Sequence, residues 1–247
     1  MSARIFLLSP AHCGGERARL VLRHGAQFDL ARRLRKREGA ALGEVFSFLS
    51  GLYFRGKLTY ASSFARPPAG VPGVLVITPC QGLRPPDVRV AVRDLRRYAK
   101  VDIATDDPRY REPLVRDAWS LRGSLEKLPA WEVILLGSVA THKYVDLLTQ
   151  VYGARLLFPA EFVGRGDMSR GGLLLRCVSE GRELEYRPLA STPRRGPRPP
   201  RLVPRPGILR RAAGVDPPRR RGDVDGRARS FVHGEAPALD APSGVVP

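Results

Sequence analysis

Lysine is scarce in this chain. Five residues, Lys36, Lys57, Lys100, Lys127 and Lys143, stand among 42 basic side chains, and the rest are arginine. Cysteine is scarcer. Cys13, Cys80 and Cys177 form no C-x-x-C pair and their number is odd, which excludes a disulfide scaffold and fits reduced thiols in a cytoplasmic protein. There is no apolar run near the ~20 residues that a spanning helix needs. The apolar stretch at the N-terminus, 4–8, is too short for a signal peptide. No internal repeat is present.

What the chain has in abundance is positive charge. Acidic residues number 24, so the formal net charge is +18. Such a balance attracts nucleic acid, nucleotides or an anionic surface. The preference for Arg, with many Ala, Gly and Pro, also suits GC-rich coding, so part of the excess is compositional. The 43% hydrophobic content is ordinary for a globular protein, and 247 residues suffice for one core with or without a tail.

The stretch 73–87 (Gly-Val-Leu-Val-Ile-Thr-Pro-Cys-Gln-Gly-Leu-Arg-Pro-Pro-Asp) reads as a buried strand over 74–78 that runs into a tight loop. Apolar runs at 4–9, 132–137 and 155–158 predict further buried strands. The alternating stretch 183–189 predicts an antiparallel or edge strand. Between them fall predicted helices at 16–37 (interrupted at Gly25), 53–64, 92–100, 112–128 and 143–152. The loop 164–172 is expected to open a helix that runs to about Val178. Residues 102–109 read as a polar turn.

Buried strands that alternate with helices predict a single-domain α/β fold over 1–190, with a mainly parallel mixed sheet flanked by helices. Residues 191–247 hold 11 of the 23 prolines and twelve Arg against five acidic residues. They cannot bury enough apolar area to offset their ordering entropy, and predict a disordered basic tail. Its Arg clusters, Arg194-Arg195, Arg210-Arg211 and Arg219-Arg220-Arg221, could add salt-sensitive phosphate contacts.

In a parallel sheet, ligands bind outside the carboxyl ends of the strands. That rule brings Ser9, Thr78 and Ser138 toward one edge. Arg165-Gly166-Asp167-Met168-Ser169-Arg170 then offers a phosphate site. Asp167 or Ser169 would cap the following helix, Gly171 and Gly172 would let a ligand approach, and Arg165 and Arg170 would supply charge. Equally, those arginines could pair only with Asp167 and Glu161. Gly82-Leu83-Arg84-Pro85-Pro86-Asp87 places a carboxylate past the second strand. Asp87 is the candidate general acid/base, or else a turn cap. Tyr53 and Lys57, in an aromatic segment, suit either a stacked base or a helix packed on the sheet. His12, Cys13, Cys80 and His142 all follow strands, but their spacing matches no metal signature, so neither metal nor cofactor is expected.

Five short motifs occur in an order similar to that of the YaaA family of peroxide-stress proteins. They are Leu8-Ser9-Pro10-Ala11, Leu52-Tyr53-Phe54-Arg55-Gly56-Lys57, the 82–87 loop, Gly137-Ser138 with Lys143-Tyr144, and the 165–170 turn. The resemblance spans 4–178. It implies a mixed α/β fold that binds DNA and limits oxidative damage.

The expectation is therefore a cytoplasmic DNA-binding protein. Its phosphate-contacting set would be Ser9, Tyr53, Lys57, Thr78, Gly82, Ser138, Lys143, Arg165, Ser169 and Arg170. The alternative is an enzyme that acts on a nucleotide or a nucleobase–sugar bond, with Asp87 as acid/base at the carboxyl ends of the strands. In both, the partner carries phosphate and no membrane is involved.

Overall fold

Strands form where the chain has apolar residues on both faces. The runs Ala3–Leu8, Val74–Ile77 and Trp131–Leu136 have almost no solvent-facing position, which suits the interior of a parallel sheet covered by helices. The computed structural model describes residues 2–140 and 142–200. Its elements, in chain order, are β1 (Ala3–Leu8), α1 (Glu16–Leu22), α2 (Asp29–Arg35), β2 (Ala40–Ala41), α3 (Leu42–Ser50), α4 (Leu52–Phe64), β3 (Val74–Ile77), β4 (Leu83–Arg84), β5 (Arg89–Val90), α5 (Val92–Tyr98), α6 (Pro108–Leu125), β6 (Trp131–Leu136), α7 (His142–Tyr152), β7 (Leu156–Pro159), α8 (Asp167–Ser179) and β8 (Tyr186–Pro188). Among the described residues no helix is long and apolar enough to cross a membrane.

Six strands make one sheet in the order β4-β3-β1-β6-β7-β8. β1 lies parallel to both β3 and β6, and β7 lies parallel to β6. The edge strands β4 and β8 run antiparallel to their neighbours. The period-2 alternation of strand side chains divides the interior into two cores. Phe6, Leu8, Val76, Ile134 and Leu136 face one layer, which includes α3, α4 and α8. Ile5, Leu7, Ile77, Val133 and Leu135 face the other, built from α6 and α7. The α/β class and the mainly parallel sheet are as the sequence predicts.

Several boundaries differ for local reasons. The predicted polar turn at 102–109 ends early because Asp107 caps α6, accepting a hydrogen bond from the Arg109 amide at 2.9 Å, with Pro108 in the first turn. α3 was not foreseen as a helix. β4 forms inside the expected Gly/Pro loop, where Gly82 (φ 67°) turns the chain back onto β3. α8 starts within the expected 164–172 loop. Gly166 occupies its cap position, and neither Asp167 nor Ser169 caps it.

Gly171 also has a different task from the one expected. A Cβ on Gly56 would fall 2.7 Å from the Gly171 carbonyl oxygen, and one on Gly171 would fall 2.9 Å from the Leu52 carbonyl oxygen. The two glycines let α4 and α8 pack backbone against backbone, with no space between them for a ligand. The start of the basic segment is also tied to the domain, since Arg194 pairs with Asp146 at 3.3 Å. The expected disordered tail from 201 on, with its Arg210-Arg211 and Arg219-Arg220-Arg221 clusters, lies outside the described residues.

Candidate functional site

The strand order reverses beside β1. From β1 the chain passes to β3 on one side, and β6 is later added on the other. A crevice opens at such a switch point, beyond the carboxyl ends of the two strands. Leu8 and Leu136 are in register there, and the Ser9 amide donates to the Leu136 carbonyl at 3.0 Å. Ser9 and Gly137-Ser138 therefore leave the sheet side by side. A cavity of about 490 Å³ sits over them, a size that suits a small-molecule ligand.

Four helices complete its walls, the first being α3 with Leu49 and Ser50. α4 contributes Tyr53 and Lys57, one turn apart on the same face. α7 contributes Lys143 and Tyr144, and α8 contributes Asp167 and Met168. The close crossing at Gly56 and Gly171 brings the α4 and α8 residues to one place. Gly137 does the same for β6 and α7. A Cβ there would fall 2.7 Å from the Tyr144 Oη, 2.8 Å from the Ser9 Cβ and 3.2 Å from the Ser9 Oγ.

Lys57 is the unusual group. It is 1% exposed, yet its nearest partners are neutral. Its Nζ lies 2.7 Å from the Ser9 Oγ and 2.7 Å from the Ser9 carbonyl oxygen. The rings of Tyr53 and Phe54 stand 4.7 and 4.8 Å away. Burial lowers its pKa to about 7; Asp167 acts in the opposite direction and Arg170 adds to the lowering. An amine that ordinarily stays charged to beyond pH 10 is thus poised to lose its proton near neutrality.

The phenols nearby go the other way. Burial raises both Tyr53 and Tyr144 above the ordinary tyrosine range, so both keep their protons at neutral pH. Tyr144 donates to the Ser138 carbonyl at 3.0 Å. Tyr53 is 7% exposed, and its hydroxyl makes no hydrogen bond of ordinary geometry among the described residues, although the Arg170 guanidinium is near enough to oppose the rise. A buried hydroxyl of this kind, on the wall of a cleft, has bonding capacity left for a ligand.

Of the residues expected to act together, five meet in the cleft: Ser9, Tyr53, Lys57, Ser138 and Lys143. Arg170 lies behind them, 7% exposed. Its Nε and Nη2 donate to the Phe162 carbonyl at 3.2 and 3.0 Å, and its Nη1 to Asp167 at 3.3 Å. Arg165 and Ser169 hydrogen-bond to each other at 3.3 Å, and Arg165 also donates to the Pro200 carbonyl at 3.4 Å. Neither lines the cleft.

Thr78, Gly82 and Asp87 are also placed elsewhere, on the β3–β4 side. The Thr78 hydroxyl is fully buried, donating to the Gly82 carbonyl and accepting from the Gln81 amide, both at 2.9 Å. The loop is fixed by Asp117 of α6, which accepts from the Leu83 amide at 3.0 Å. Asp87 is exposed and is not a cleft residue. The only carboxylate that lines the cleft among the described residues is Asp167.

Tyr144, His12 and Asp167 were not foreseen as cleft residues. Tyr144 follows Lys143 in the segment after the small-residue turn. That position was the available signal, but its hydroxyl reaches Ser9 only because position 137 is glycine. Cys13 is adjacent in sequence but buried, and burial pushes its thiol up to about 12, so it is not a thiolate nucleophile. Compared with family models, curated proteins and solved structures, the chain matches none.

Proposed function

We propose that this protein is an enzyme whose site is the cleft between the carboxyl ends of β1 and β6, and that it acts on an anionic ligand of about nucleotide size. The observation that carries this reading is the buried Lys57 amine, held 2.7 Å from the Ser9 hydroxyl on a cleft wall, with no carboxylate among the described residues in contact. Burying an ammonium without a counter-charge costs several kcal/mol, on the order of the stability of a domain. Such a group, in a cavity of this size, supports reading the cleft as a functional site. Lys143 at the mouth and Arg170 behind the wall favour an anionic ligand over a cationic one. The expected acid/base, Asp87, has no place in this site, so the chemistry rests on Lys57, Ser9 and Tyr144.

Differential scanning fluorimetry against nucleoside mono- and triphosphates, dinucleotides and acyl-coenzyme A tests the reading. At least one class raises Tm, and Lys143→Glu removes the rise without lowering the Tm of the free protein. If every class leaves Tm unchanged at millimolar concentration, the cleft is not a site for such ligands.

A second reading, nucleic-acid binding, is favoured by a separate groove. Lys36, Arg37, Arg93 and Arg96 are exposed around an open hollow of about 640 Å³ between the end of α2 and the start of α5. The measurement is duplex DNA affinity against salt. On this reading Arg93→Glu weakens binding for all sequences and lowers the salt slope by about one. An unchanged slope would remove the groove from consideration.

A further inference from the structure

The Ser9–Lys57 pair has more geometry than binding requires. A serine hydroxyl is a weak nucleophile unless a base within about 2.6–3.2 Å takes its proton and a further group orients that base. Here the base candidate lies 2.7 Å from the Oγ, and its second contact, to the Ser9 carbonyl oxygen at 2.7 Å, fixes its direction. With a neutral amine, one N–H donates to that carbonyl and the nitrogen lone pair accepts the Oγ–H. The amine is also the deeper of the two groups, 1% exposed against 7% for Ser9. A ligand in the cleft therefore meets the hydroxyl first. Tyr144 brings a third proton-bearing atom over the same glycine, Gly137.

We propose that Ser9 is a covalent nucleophile, with Lys57 as its general base and then the proton donor to the leaving group, and that the substrate class is an ester or thioester. This rests on the enzyme reading of the cleft. A carbonyl is favoured over a phosphoryl centre by the charge around the hydroxyl. Transfer of a phosphoryl group needs several fixed cations or a metal on its oxygens, whereas Ser9 has one amine, neutral when it acts as base, and Lys143 at the rim.

The steps balance as follows. The Ser9 Oγ attacks the carbonyl carbon while its proton passes to the Lys57 Nζ, and the carbonyl electron pair moves onto oxygen. The tetrahedral species collapses, the bond to the leaving group breaks, and that group takes the proton from the Lys57 ammonium, which returns to the neutral amine. Water then attacks the acyl-Ser9 ester, giving its proton to Lys57. The carbon–Oγ bond breaks and the proton returns to Oγ. The net reaction is hydrolysis, with the serine regenerated.

The groups around the Ser9–Lys57 pair are Tyr53 from α4 and Asp167 with Arg170 from α8, on the Lys57 side, and Tyr144 from α7, on the Ser9 side. Both phenols are held protonated through neutrality, so Lys57 itself sets the pH at which the nucleophile becomes active.

The test uses the full chain and a fluorophosphonate probe, whose P–F bond is broken by Oγ with loss of fluoride. One adduct per chain is expected, mapped by peptide mass spectrometry to Ser9, with a labelling rate that rises through pH 7. Ser9→Ala abolishes it. Lys57→Met and Lys57→Arg, checked for folding by circular dichroism, each slow it by about 100-fold, the scale of general-base assistance. His12 lines the same cleft, so the pH midpoint must persist in His12→Gln. Adducts on another residue, or wild-type labelling rates in folded Lys57→Met, overturn the proposal. Absent labelling in a chain whose Tm is still raised by an anionic ligand overturns the nucleophile and leaves the binding site standing.

Discussion

Replacing Lys57 by methionine converts a buried amine into an apolar side chain of similar length, and its effect on stability depends on pH in a calculable way. In the unfolded chain the amine titrates near its ordinary value of 10.5; in the fold its pKa is lowered to about 7. The unfolded state therefore holds the extra proton between those values. Stability rises with pH wherever the unfolded state binds more protons, so the wild type gains stability from about pH 7 upward and bears the full burial penalty below it. Integrated from pH 6 to pH 9, the gain is about 2–3 kcal/mol. Methionine has no proton to bind, so the variant lacks this component. The assay is urea denaturation of both proteins at pH 6, 7, 8 and 9. The difference in unfolding free energy, variant minus wild type, should be most favourable to the variant at pH 6 and shrink by that amount at pH 9. Groups common to both proteins cancel in the difference. Two parallel curves would refute the reasoning, because they would mean that Lys57 keeps its proton throughout.

Three further outcomes follow from the packing. Gly56→Ala introduces a Cβ 2.7 Å from the Gly171 carbonyl oxygen, and backbone cannot move aside as a flexible side chain could; a loss of about 1–3 kcal/mol is expected in denaturation, with weaker ligand-induced shifts because α4 is displaced. Asp117→Ala leaves the Leu83 amide without its 3.0 Å acceptor and costs about 1–3 kcal/mol, while fluorophosphonate labelling of the folded variant stays unchanged. Asp87→Asn alters an exposed carboxylate away from the cleft, so stability changes by less than about 0.5 kcal/mol and labelling is unaffected.

The sheet was legible because its interior strands carry their signal locally. Val74–Ile77 and Trp131–Leu136 are apolar at nearly every position, a pattern that exposed structure rarely shows. The break at Gly25 likewise separated α1 from α2. The strand order was not legible. Thr78 follows β3 as Ser9 follows β1, and the carboxyl-end rule treats both alike. Yet the crevice opens between β1 and β6, which leaves Thr78 and Gly82 to organise the β3–β4 turn and Asp87 exposed beyond it. The Arg165–Arg170 turn reaches the cleft through Asp167 and Met168 and not through its arginines. Those arginines bond to Ser169 and Asp167 within the turn, and to the Phe162 and Pro200 carbonyls, which no motif announces. Lys57 was named from the sequence, but its burial comes from the α4–α8 crossing, a contact between segments more than a hundred residues apart.

The central claim is that one lysine is held in an uncompensated interior site beside Ser9, and the scarcity of lysine makes it directly measurable. With ¹³C-lysine incorporated, the chain gives five side-chain signals to follow against pH by NMR. The account predicts that one of them, absent in Lys57→Met, titrates with a midpoint near 7. Five signals that all titrate near the ordinary lysine value of about 10.4 would contradict it.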